Sequence, residues 1–248
     1  MANFVLVHGA WHGAWCWRHV TEALVCAGHR AHAVTLTGVG ERAHLLNTSI
    51  TLETHIADVI GAMEAEEMTE VILAVHSYAG MLGTAVADRM PERLAHLVYV
   101  DAVVPKPGES WSGTHASATR EARLAAAAAS PTYSFPPPDP SVFGLQAEEY
   151  AWVKRRQTPH PGHTYQAALD FDPVRVARVP RTFINCTQPP LGTIDVIRTR
   201  INDPRFWSGL WLPGSRTVTL ATGHDPMISA PSALTELLLD CVPPGVSA

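Results

Sequence analysis

Ser77 stands in Val75-His76-Ser77-Tyr78-Ala79-Gly80, between an apolar run and a helical pattern. A serine at a sharp strand-to-helix turn exposes its hydroxyl, and small residues two positions either side let strand and helix pass closely. The helix N-terminus beneath it favours developing negative charge. Ala79 and Gly80 meet the size requirement, whereas Val75 is bulkier than the usual glycine. By itself the hexapeptide fits an N-capping serine as well as a nucleophile. Two further features favour the nucleophile. His224, in Thr222-Gly223-His224-Asp225, follows the last apolar run and can serve as the base. His8-Gly9-Ala10-Trp11 follows the first run, so the Ala10 and Tyr78 amides are candidate donors to an oxyanion. The combination predicts acyl transfer through Ser77.

Such a site needs strands that end together and helices that return the chain. Short unbroken apolar runs at Phe4–Val7, Ala31–Leu36, Val71–Val75 and Leu97–Val104 alternate with helical patterns at Trp17–Ala27, Leu52–Ala65 and Met81–Arg89. Buried runs separated by helices predict parallel strands covered on both faces, a doubly wound α/β sheet. Composition changes after Pro105. Residues 106–178 hold an Ala-rich helix at Arg120–Ala129, a proline-dense loop at Pro131–Pro140 and a helix at Ala147–Arg156, with no evident buried strand. The alternation resumes at Thr182–Cys186, Thr217–Leu220 and Ser232–Leu239. This predicts one α/β core, residues 1–105 and 179–248, carrying a helical cap at 106–178 over the carboxyl ends of the strands, where ligands bind.

His8-Gly9-Ala10-Trp11-His12-Gly13-Ala14-Trp15, the Ser77 turn, Asp101-Ala102-Val103-Val104-Pro105 and Thr222-Gly223-His224-Asp225-Pro226-Met227 give the chain its resemblance. It resembles α/β-hydrolases of the plant methylesterase and hydroxynitrile lyase branch, together with small bacterial carboxylesterases such as pyrethroid hydrolases. The likeness spans nearly the whole chain and is weakest in the cap. It implies an α/β-hydrolase fold, a Ser–His–acid triad and no cofactor or metal. The acid departs from the pattern: after Thr182–Cys186 the family carries Cys-Thr-x-Asp, and here the row reads Cys186-Thr187-Gln188-Pro189. Asp101, ending the strand after the elbow helix, is the favoured substitute. Asp195, further along the Pro189 loop, is the alternative, and an absent acid is the third case. Asp225 is expected to cap the following helix.

The favoured activity is a serine carboxylesterase acting on a small hydrophobic or aromatic ester. Trp11, beside the oxyanion loop, and Trp111, Phe143 and Trp152 in the cap are candidate pocket residues. Trp15 and Trp17 are expected to pack in the core, and His12 and His76 to make loop and elbow hydrogen bonds. Hydroxynitrile lyases of this branch carry threonine in the first loop and lysine after the catalytic histidine, where this chain has Gly9 and Asp225. An acidic residue there opposes cyanide. A non-enzymatic small-ligand receptor on the same fold is the second alternative, favoured only by the Val75 and Pro189 departures.

Other readings lose on composition. The 248 residues carry 18 basic and 23 acidic side chains, net −5, with no basic face for nucleic acid. No apolar run approaches membrane-spanning length, and the start lacks a basic secretory leader. Cys16, Cys26, Cys186 and Cys241 are widely spaced, which predicts reduced core thiols in a cytoplasmic protein; a homodimer is compatible with the sequence. Gly38-Val39-Gly40-Glu41-Arg42-Ala43 matches a dinucleotide fingerprint, but Asp58 falls within a helical pattern instead of ending a second strand. His160 and His163 lack the carboxylate or cysteine neighbours of a metal site and read as turn histidines.

Overall fold

The computed structural model describes residues 1–203, 205, 206 and 215–245. Strands β1 (Asn3–Val7), β2 (Arg30–Val34), β3 (Val71–His76) and β4 (Leu94–Val100) are joined by helices α1 (Arg18–Cys26), α2 (Leu52–Ala65) and α3 (Gly80–Arg89). Between β4 and the next sheet strand lie helices α4 (Ser117–Ala129) and α5 (Ala147–Lys154), two short turns α6 (His163–Gln166) and α7 (Pro173–Val176), and two small antiparallel pairs. The pairs join β5 (Glu109–Ser110) to β8 (Ala168–Leu169) and β6 (Ser134–Phe135) to β7 (His160–Pro161). Two-residue strands are too short to leave a periodic signal, so the sequence did not announce them. The sheet then adds β9 (Arg181–Cys186) and β10 (Arg216–Leu220), with α8 (Asp195–Ile201) between them and α9 (Pro226–Ser229) and α10 (Pro231–Leu239) after them.

The spatial order is β10-β9-β4-β3-β1-β2, and all five pairings are parallel. Burial explains the sequence signal. Every residue of β3 and β9 is buried, whereas the edge strands β2 and β10 are largely half-exposed. Helix α2 shows how a cover helix is specified: Leu52, Ile56, Val59 and Met63 form its buried face. The Thr51 side chain accepts from the Thr54 amide while Thr54 Oγ1 accepts from the Thr51 amide, a capping box contributing about 1 kcal/mol.

Two expectations need correction. The fourth strand begins at Leu94 and ends at Val100, three residues early and four short of the expected Val104. The chain leaves the sheet because Asp101 adopts a left-handed φ of 42° and its next contacts are with the Ser77 turn. Among the cysteines, Cys16, Cys186 and Cys241 are buried but Cys26 is exposed on α1; all four are unpaired. Among the described residues no helix is long and apolar enough to cross a membrane.

Candidate active site

The Ser77 turn is made possible by what its neighbours lack. Ser77 itself has φ 54°, a left-handed conformation that costs a non-glycine residue about 1–3 kcal/mol. A Cβ on Gly9 would lie 2.7 Å from Ser77 Cβ, and one on Gly80 would lie 1.8 Å from the Val103 carbonyl oxygen. Both positions therefore require glycine. The bulk of Val75 is accommodated one helical turn further along: a Cβ on Gly83 would meet both Val75 methyls at 2.9 Å. The close strand–helix approach is thus obtained from the helix side. Tyr78 is held under the turn, its hydroxyl 3.1 Å from His55 Nδ1.

Three strand ends deliver the reacting groups. Ser77 follows β3, Asp101 follows β4, and His224 lies in the loop after β10. Ser77 Oγ is 2.9 Å from His224 Nε2, and His224 Nδ1 is 2.7 Å from Asp101 Oδ2. The backbone holds this geometry. The Asp101 amide donates to Ile184 O at 2.8 Å, the Val103 amide to Ser77 O at 2.9 Å, and the His224 amide to Phe143 O at 2.9 Å. A Cβ on Gly223 would sit 2.1 Å from that same Phe143 oxygen, so the cap loop and the histidine loop are packed backbone to backbone.

Asp101 is buried, which works against its charge. The hydrogen bond from His224, the His224 charge and the Arg198 guanidinium outweigh that and hold its carboxyl below the usual range. Arg198 Nη2 lies 2.9 and 3.0 Å from the two Asp101 oxygens, and the Cys186 amide donates to Oδ1 at 3.2 Å. Asp195 makes no contact with His224. It is exposed, and pairs through Oδ1 with Arg198 Nη1 at 2.7 Å.

The model of the alpha/beta hydrolase family matches residues 4–237. This chain belongs to that family. A carbendazim hydrolyzing esterase from Nocardioides is 40% identical over 96% of this chain and 98% of its own length. Methylesterase 7 of Arabidopsis thaliana is 28% identical over 96% of this chain and 95% of its own. Among solved structures, an extracellular alpha/beta-hydrolase from a Paenibacillus species matches with a TM-score of 0.78 at 20% identity, covering 97% of this chain and 99% of that one. A methylesterase from Arabidopsis matches with a TM-score of 0.74 at 24% identity, covering 96% and 98%.

In this α/β-hydrolase Ser77 and His224 open into a cavity of about 220 Å³. Trp11, Trp111 and Phe143 line it, as do Arg123 and His115. Trp152 does not: it lies in a separate outer groove with Arg18, Glu148 and Arg155, packed edge-on against Trp15 at 5.0 Å between ring centres. Trp17 is fully buried and Trp15 half-buried.

A second His–Asp pair lies close to His224 and Asp101. Asp225 occupies the N-cap position of α9, but its side chain makes no capping bond. It turns inward instead, its Oδ2 3.2 Å from His12 Nε2, while His12 Nδ1 is 2.8 Å from Ala10 O. Burial disfavours charge on both partners. Attraction to Asp225 nevertheless raises the His12 pKa, and His12 and then His76 hold Asp225 at about 2. His76, driven to about 3 by burial and the neighbouring His224, is neutral and donates from Nε2 to His224 O at 2.8 Å. His76, His224 and Asp225 present ligand-type atoms within 4.8 Å of one another, but all three side chains already face hydrogen-bond partners.

The sequence reading missed Arg198, Arg123 and the His12–Asp225 pair. Arg198 sits three residues after Asp195 on α8, a local pairing visible in principle; the others are long-range contacts without a local signature.

Proposed function

We propose that this hydrolase is a serine carboxylesterase that cleaves a small, mainly hydrophobic or aromatic ester through an acyl-enzyme. The observation carrying the reading is the unbroken relay from Ser77 Oγ through His224 to Asp101, at 2.9 and 2.7 Å. His224 Nε2 takes the Ser77 proton as Oγ attacks the ester carbonyl carbon. The Ala10 and Tyr78 backbone amides face the tetrahedral oxyanion, and Asp101 stabilises the imidazolium. His224 then passes its proton to the departing alcohol. Water, deprotonated by His224, attacks the acyl-enzyme and releases the acid and Ser77. The 40% identity to a carbendazim hydrolyzing esterase and the likeness to a plant methylesterase support ester chemistry. Four unpaired cysteines fit a reducing compartment such as the cytoplasm.

A fluorophosphonate probe tests the nucleophile directly. Intact-mass and peptide mass spectrometry should find one adduct, on Ser77, and none on Ser77→Ala. Ester turnover that survives in Ser77→Ala would overturn the mechanism.

A further inference from the structure

The cavity beside Ser77 is walled by aromatic and aliphatic side chains, and one formal cation lies among them, Arg123 of α4. Its guanidinium carbon is 5.2 Å from the Trp111 ring centre, 5.3 Å from Trp11, 5.4 Å from Tyr165 and 5.9 Å from Phe135. Among the described residues it pairs with no carboxylate. Its neighbours are His115, whose Nδ1 is 3.4 Å from Nη1, and the Tyr165 hydroxyl. His115 is pushed down to about 3 by burial and by Arg123, so it is a neutral neighbour and supplies no counter-charge. Trp11, which lines the same cavity, has among the described residues no hydrogen-bond partner for its buried Nε1.

Ring stacking lets a guanidinium sit in such a place without neutralising it. Each cation–π contact is weak, whereas a charge removed from water without a counter-ion is costly. The fork of N–H groups matches the two oxygens of a carboxylate, and a charge-assisted bond is strongest where water is excluded.

We propose that Arg123 is the anion-recognising group of the substrate pocket, and that the preferred substrates are esters with an apolar body and a carboxylate at the end remote from the scissile bond. The inference rests on Ser77 being the nucleophile of the same cavity. The Trp111 ring packs at a tilt against Tyr78, the residue after Ser77, with 4.9 Å between ring centres, and also lies against the Arg123 guanidinium. Arg123 and Ser77 line the same cavity, so an ester carbonyl at Ser77 and a carboxylate at Arg123 would be different ends of one small molecule, and the length of the spacer between them is what the experiment varies.

Methanol release from the monomethyl esters of succinic, adipic and suberic acids, set against methyl butyrate, hexanoate and octanoate, tests this with the full chain. At one spacer length the wild type should favour the half-ester in kcat/KM by about 10- to 100-fold. Arg123→Met should bring that ratio to one or below, and Arg123→Lys should retain part of it. A wild type that prefers the neutral ester at every length overturns the proposal, as does a ratio that Arg123→Met leaves unchanged. If Ser77 is labelled by fluorophosphonate and the neutral esters are cleaved, the esterase reading survives that failure. If no ester is cleaved, tryptophan fluorescence of Ser77→Ala titrated with monomethyl adipate decides. Saturable quenching that Arg123→Met abolishes supports the anion site, and its absence rejects it.

Discussion

His224 and His12 are each held by a buried aspartate, and their ring centres lie 4.6 and 6.3 Å from that of His76. Chemically the two pairs are the same. They differ in what the other ring nitrogen faces. In His224 one nitrogen meets Asp101 and the other meets the Ser77 hydroxyl, a group that can give up a proton. In His12 both nitrogens are spent, one on Asp225 and one on the Ala10 carbonyl, so the ring is a doubly donating imidazolium with nothing to accept. One pair can move protons; the other pins the loop that carries the Ala10 amide.

The sharpest way to break this contrast is to delete the two histidines separately. His224→Ala should lower kcat by about 10⁶, as expected where a triad acts as a unit. His12→Ala should leave far more activity, and should act chiefly on stability and on the Ala10 loop. Equal kinetic losses would erase the distinction.

The carboxylates come next. Asp101→Asn should keep the fold by circular dichroism and lose about 10⁴ in kcat, because the amide cannot hold the imidazole in its working tautomer or stabilise the imidazolium. Asp195→Asn, at the exposed end of the Arg198 pair, should lose little. Asp225→Asn should instead destabilise by about 3–5 kcal/mol, the cost of leaving a buried charge alone, with a smaller effect on turnover. The pH dependence has a definite sign. The raised pKa of His12 gives stabilisation that is complete below its unfolded value and lost as pH rises through the folded one. The depressed Asp225 contributes above its unfolded value, and that contribution is lost as pH falls toward about 2. Thermal melts should therefore show a larger deficit for Asp225→Asn at mildly acidic pH than at alkaline pH.

Arg198→Gln should fall between Asp101→Asn and Asp195→Asn. Asp101 keeps the Cys186 amide and His224 but loses the Arg198 Nη2 that bridges both its oxygens, and a small displacement of its carboxylate should cost about 10- to 100-fold in kcat. No change would mean that the backbone alone orients Asp101.

The parallel core was legible because buried strands are unbroken apolar runs and their cover helices carry one apolar face, as in β3 and α2. The Ser77 turn was legible because the small residues Ala79 and Gly80 stand beside it in the sequence, although the contact that requires Gly80 is with the distant Val103. Asp225 was misread because neighbouring residues in a loop can point to opposite sides, and only the fold shows that its side chain turns toward His12, 213 residues away. Trp152 was misassigned for a similar reason: α5 turns it onto Trp15 at the outer surface, and aromatic character carries no direction. Arg123 lies in an alanine-rich helix whose one fully buried residue is Ala127, so nothing in its local sequence marks the arginine as inward-facing. What it meets, four rings from four other elements, is a property of the assembled cap.

The short link from Asp101 to Val104 has a consequence for how this architecture can vary. Its first residue is bound to β9 through Ile184, its third to the Ser77 turn, and the Val103 carbonyl is pressed against Gly80. Asp101 and Ser77 are thus fastened to one another before the chain departs into residues 106–178. Everything between Pro105 and Arg181 can be exchanged, lengthened or reshaped without altering the spacing of these two groups, provided the contact from Phe143 to the histidine loop is rebuilt. Chimaeras joined just after Val104 should inherit the machinery intact and take their selectivity from the donor, whereas a junction even three residues earlier should uncouple the two.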